Sequence, residues 1–238
     1  MILTSTDAPA VALVRAIRGG DVAALQAQLD ATPGLAAARL VDERGVARTL
    51  LHVVADWPGH VPRGAELVAV LVQAGAAVNA PVEQSGPTGS PETALHWAAS
   101  SDDVAVLDAL LDHGADIEAP GAVFTGGTPM SDAVVFAQWR AARRLLARGA
   151  ATTLWQAAAL GVLDRVQAHC AARPAPTAAE CDNALWHACR GGDLAVVAYL
   201  VDHGANPYAV GHDRQTALEA AAAAGHDAVV TWLRATRR

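Results

Sequence analysis

Lysine is missing from this chain, and all 17 basic side chains are arginine. That bias points to a GC-rich coding genome and a bacterial source. Against the arginines stand 24 acidic residues, for a net charge of -7. This balance sets nucleic acid aside as a partner, because such binding is dominated by basic contacts to phosphates. Cysteine is scarce too: Cys170, Cys181 and Cys189 form no CxxC pair, and the expected setting is reducing and cytoplasmic. No stretch reaches the ~18 uninterrupted apolar residues of a membrane span. The first ten residues carry Asp7 and no basic start, unlike a signal peptide. Glycine-rich phosphate loops, HExxH pairs, nucleophile elbows and EF-hand spacings are all lacking. No cofactor and no metal site is therefore assigned. His169, Cys170, Cys181, His187 and Cys189 are zinc-ligand types, but their spacing fits no finger or ribbon.

What is present is apolar and small. Hydrophobic residues make up 53% of the 238 positions and aromatics only 4%, so alanine carries much of the apolar content. Alanine favours closely packed short helices over a sheet. Three elements then recur. An opening of the Thr-x-Leu-His type stands at Thr49, Thr93, Thr128, Thr152, Asn183 and Thr216, in steps of 44, 35, 24, 31 and 33 residues. An apolar helical pattern follows each opening, beginning at Ala65, Val104, Trp139, Leu163, Leu194 and Asp227. A Gly-Ala turn closes four copies, at Gly75, Gly114, Gly149 and Gly204.

The segments ETALHWAASSDDVAVLDALLDHGADIEA and NALWHACRGGDLAVVAYLVDHGANPYA resemble ankyrin repeats nearly from end to end, a family whose repeat centres on about 33 residues. The resemblance implies an all-α ankyrin-repeat solenoid of about seven helix pairs, forming a single domain over 1–238. Its cap pairs would fall at about 8–34 and about 214–236, the last with a basic end at Arg234, Arg237 and Arg238. Insertions at residues 57–64, 81–92 and 120–127 extend the loops around repeats 2–4, and the hairpin before Thr152 is almost deleted. His52 and His96 occupy the family's usual histidine position, which ties adjacent repeats together. Trp155 and Trp186 are expected at that position later in the chain, marking a repacked junction.

The family resemblance implies a protein partner bound on the concave face, through inner helices and hairpin loops. Residues four and eight positions after each opening are expected to share an exposed stripe. That places Val53 and Trp57, Trp97 and Ser101, Asp132 and Phe136, Gln156 and Leu160, and His187 and Gly191 in one row. Trp57, Trp97, Ser101, Asp132, Phe136, Gln156 and His187 are the candidate binding residues, since aromatics flanked by polar groups are typical of binding hot spots. The plainer alternatives are that Trp97 packs on a neighbouring helix, Trp57 staples its own loop, and Asp132 complements a helix dipole. A second functional class is a small-molecule or acid–base site, isomerase- or cyclase-like, using Asp132 and His187 in a pocket roofed by loops 81–92 and 120–127. Arg140, Arg144 and Arg148 form a basic stripe that Asp108, Asp112 and Asp116 would compensate.

Overall fold

The computed structural model describes residues 1–84, 90–211 and 213–236. Arg237 and Arg238, part of the basic end expected for the last helix, lie outside them. The helices of the described residues follow one another in seven pairs. These are α1 (Ala8–Arg18) with α2 (Val22–Ala31), α3 (Leu50–Ala55) with α4 (Gly64–Gln73), α5 (Ala94–Ser100) with α6 (Val104–Asp112), and α7 (Pro129–Val135) with α8 (Trp139–Ala147). Next come α9 (Leu154–Ala159) with α10 (Leu163–Ala171), α11 (Ala178–Gly191) with α12 (Leu194–Asp202), and α13 (Ala217–Ala223) with α14 (Asp227–Ala235). The chain divides into two compact units, residues 1–150 and 151–238. The division falls at the deleted hairpin.

Local chemistry explains the helix limits. Thr49 and Thr93 cap α3 and α5 in reciprocal capping boxes with His52 and His96, satisfying amides that a helix start leaves unpaired. Asp103 and Asp193 do the same for α6 and α12 by accepting from Val106 and Val196. At the other ends, Gly75, Gly114, Gly149 and Gly204 all adopt positive φ, the left-handed turn that glycine makes at least cost.

Two openings differ from the expected register. α9 is capped by Thr153, with Gln156 folding back onto the cap. Gln156, rather than Trp155, therefore stands where His52 and His96 stand. α11 starts five residues ahead of Asn183, because Thr177 and Glu180 form their own capping box just after Pro174 and Pro176.

In the first unit, Leu50, Leu51, Leu67, Leu71, Leu95, Leu107, Leu110, Met130 and Leu145 are buried between successive helices. In the second, Leu185, Val196, Val197, Leu200, Val229 and Leu233 join a core rich in alanine, with Cys189 fully inside it. Burial pushes the Cys189 thiol up to about 12, where it behaves as a small hydrophobe.

A small sheet accompanies the helices of the first unit and was no part of the sequence reading. β1 (Ile2–Thr4) runs parallel to β2 (Arg39–Val41), which pairs antiparallel with β3 (Val46–Thr49), and β3 pairs with β4 (Glu83–Gln84). Arg39 bridges it, donating to Pro81 O at 2.8 Å and pairing with Glu83 at 2.9 Å. The start of the 81–92 connection is thereby fixed, while its residues 85–89 lie outside the described part.

Candidate functional site

The two histidines set the geometry of the first unit. Each Nδ1 accepts the amide N–H of its own capping threonine, at 3.3 Å for His52 and 3.1 Å for His96. The other nitrogen must then carry the proton, and it donates to the next repeat: His52 Nε2 to Glu92 O at 3.0 Å, and His96 Nε2 to Gly127 O at 3.4 Å. Desolvation by burial lowers both rings to about 4, so they are neutral ties. In the second unit Trp186 makes the equivalent bond, its indole N–H donating to Gln215 O at 3.1 Å. The histidine pattern is broken there but its hydrogen bond is kept.

Glu92, the residue His52 holds by its carbonyl, was not singled out by the sequence. Its side chain accepts the Trp97 indole N–H at 3.2 Å, and the Trp97 ring meets His52 edge-on with centroids 4.9 Å apart. Asp132 lies on the next inner helix in the same register as Val53 and Trp97, and it is only 1% exposed. Its carboxyl faces that of Glu92, while the Val123 amide approaches both. Burial and the neighbouring Glu92 raise Asp132 to about 8, and burial also raises Glu92. Asp132 Oδ2 receives no hydrogen bond. The contact is comfortable only when one carboxyl holds a proton for the other, the usual outcome for two carboxylates at one site.

The 120–127 connection builds the surface above this pair. It folds on itself through Ala122 N to Gly127 O at 2.9 Å and Gly126 N to Ala122 O at 2.7 Å. Ser90 Oγ donates to Gly121 O and anchors the loop to residues 90–92. Phe124 at its tip is 70% exposed and touches Phe136, 41% exposed, with ring centroids 5.7 Å apart.

The remaining candidates separate. Trp57 is 76% exposed, so it does not staple its own loop. Ser101 donates to Ala55 O at 3.3 Å, a tie between repeats. Val53, Gln156 and His187 are buried, contrary to the expected exposed row. Gln156 is occupied by its cap, donated to by Thr153 N at 2.8 Å. His187 sits in the second unit between Trp155 and Trp186, at 4.7 and 5.0 Å between centroids. A separate cavity of about 520 Å³ in that unit is lined by Trp155, His169, Pro174, Glu180 and Asn183, among others. The arginine stripe is compensated as expected: Arg144 and Arg148 pair with Asp108 at 2.7 and 2.8 Å, and Arg148 with Asp112 at 2.7 Å. Asp116 instead accepts no arginine among these pairs, its amide bonding Asn79.

Pairs of a capped inner helix and an outer helix therefore recur in both units, with histidine ties between repeats in the first, and models of known families match part of each unit. Ankyrin repeats in three copies match residues 154–237, and a single ankyrin repeat matches residues 92–122. The chain is an ankyrin-repeat protein. Ankyrin repeats are generally protein–protein interaction modules. Among solved structures, the human ASB11 ankyrin repeat domain is similar, with 22% identity and a TM-score of 0.50, over 92% of this chain and 96% of that one. Comparison with curated proteins gives no match. No helix among the described residues of this ankyrin-repeat protein is long and apolar enough to cross a membrane.

Proposed function

We propose that this ankyrin-repeat protein binds a protein partner through the inner helices and hairpin loops of its first unit. The observation that carries this reading is the Phe124–Phe136 pair. Two large apolar rings in contact with each other, with Val123 also 48% exposed, make a continuous patch where an isolated exposed residue would need no explanation. Asp132, fully buried, stands one helical turn before Phe136, and half-buried Trp97 and exposed Trp57 are further aromatics of the same unit. Binding hot spots combine rigid aromatics with a few placed polar groups in this manner.

The test is a crosslinked pull-down comparing wild type, a Phe124→Ser, Phe136→Ser chain, and Arg144→Ala on the outer helix α8. A partner kept by wild type and Arg144→Ala, but lost from the phenylalanine variant, is the expected result. Equal recovery on all three baits would remove the proposal.

A second reading, an acid–base site for a small molecule, is favoured by the carboxyl pair. One protonated and one ionised carboxyl side by side can act as acid and base. The residue that Asp132 works with here is Glu92, in place of the His187 expected from the sequence. Screening small carbonyl and hydroxy metabolites for turnover, with Asp132→Asn as the control, decides it: turnover that survives in the variant excludes this chemistry.

A further inference from the structure

The carboxyl pair is not needed by the repeat. At the position of Asp132, the second repeat has buried Val53 and the third has Trp97, so packing between inner helices is satisfied by apolar residues. A carboxyl there is costly, because a buried charge lacking a counter-charge loses its solvation with nothing to offset it. None of the ion pairs among the described residues includes Glu92 or Asp132. Arg39 and Arg48, whose charges act on neighbouring His52, are committed to Glu83 and Asp56, both at 2.9 Å.

Among the described residues no cation therefore offsets the single negative charge that the proton-sharing pair retains, and Asp132 Oδ2, in a side chain 1% exposed, accepts no hydrogen bond. The surroundings add a chemical preference. Phe136 follows Asp132 by one helical turn and so shares its face. Phe124 follows Val123, whose amide faces both carboxyls. Aromatic faces beside a carboxylate favour an organic cation, through ring attraction added to charge pairing. A divalent metal would want more oxygen ligands, and no third His, Cys, Asp or Glu among the described residues completes such a group.

We propose that the Glu92–Asp132 pair and the Phe124–Phe136 rings form one recognition site for an organic cation, the guanidinium or ammonium of an arginine or lysine side chain on the protein partner. The cation meets the pair at half-buried Glu92, with Asp132 behind it, and its aliphatic stem crosses the rings. This rests on the interaction reading above and names the chemistry of the contact. As the cation docks, the proton shared by the two carboxyls passes to solvent, and the pair becomes a full dianion facing the incoming charge.

Nitrogen–proton correlation NMR tests it on the full chain, following the Val123 amide and the Trp97 indole N–H. The probes are the peptide acetyl-Gly-Arg-Gly-amide and its citrulline counterpart, the same shape without charge. The arginine peptide should shift both signals, and the citrulline peptide should bind at least about tenfold more weakly. Glu92→Gln, isosteric and uncharged, should lose a similar factor. In wild type the affinity should rise by about tenfold from pH 7 to pH 9, as the shared proton leaves. In Asp132→Asn, which keeps the fold and has no proton to lose, that rise should vanish.

Equal binding of the citrulline peptide, or a pH profile unchanged in Asp132→Asn, overturns the proposal. Agmatine binding more tightly than the peptide would overturn its assignment to a partner's side chain. If the phenylalanine variant loses a protein partner that Glu92→Gln retains, the interaction reading stands and the cation site falls.

Discussion

At the residue scale, two kinds of buried titratable group have opposite meanings. His52 and His96 are neutral and hydrogen-bonded at both ring nitrogens, which is what a structural tie requires. Asp132 is buried with an oxygen lacking a donor, and it destabilises the state it sits in. Its carboxyl is raised from 3.8 to about 8, so between those values the folded chain holds a proton that the unfolded chain has released. Stability is therefore lost progressively as pH rises from 4 to 8. Asp132→Asn should stabilise the protein, by about 1–3 kcal/mol more at pH 8 than at pH 5. Urea unfolding followed by circular dichroism checks this, and a variant less stable than wild type at pH 8 would show the pair to be well satisfied.

At the element scale, the decisive piece is the 120–127 connection, because it carries both Val123 and Phe124. It is held to residues 90–92 by the Ser90 hydrogen bond and by a close approach: Gly121 has φ 138°, and a Cβ there would lie 2.7 Å from Pro91 O. Only glycine suits that conformation and spacing. Gly121→Ala should lift the loop while leaving the capped helices intact, at roughly 1–3 kcal/mol. Hydrogen exchange at Val123 is the direct readout: faster exchange there with unchanged α5 and α7 is expected, and protection equal to wild type would place the loop's anchorage elsewhere. The helices were legible in advance because their signals are local. Five of the six outer helices begin at the residue their pattern marks, and α4 begins one residue before Ala65. Thr177 and Glu180 were equally legible as a capping box, and the longer α11 follows from them.

On the scale of the whole molecule, the pH dependence of the first unit sums these groups. Below 6.5 the unfolded chain protonates His52 and His96, while the folded rings resist down to about 4. Stability from the two ties thus falls as pH drops through that window. Asp132 acts in the other direction up to about 8. Two rings outweigh one carboxyl in the acid range, so thermal melts should place maximum stability close to pH 6.5. Asp132→Asn should remove the alkaline decline and leave the acid limb. A wild-type profile flat from pH 5 to pH 8 would contradict both assignments.

The repeat could be read from the sequence because capping, helical periodicity and left-handed glycine turns act over a few residues and return at each copy. The residues of the inner row could be named for the same reason, but their exposure could not. Whether Gln156 faces a partner or its own cap depends on a one-residue register, and whether His187 is open depends on Trp155 and Trp186. Nothing local links Glu92 to Asp132, forty positions further on. Only the stacking of one inner helix on the next, with the 120–127 loop folded beside them, brings the two carboxyls face to face in low dielectric, where their mutual repulsion and their need for a proton or a cation first arise.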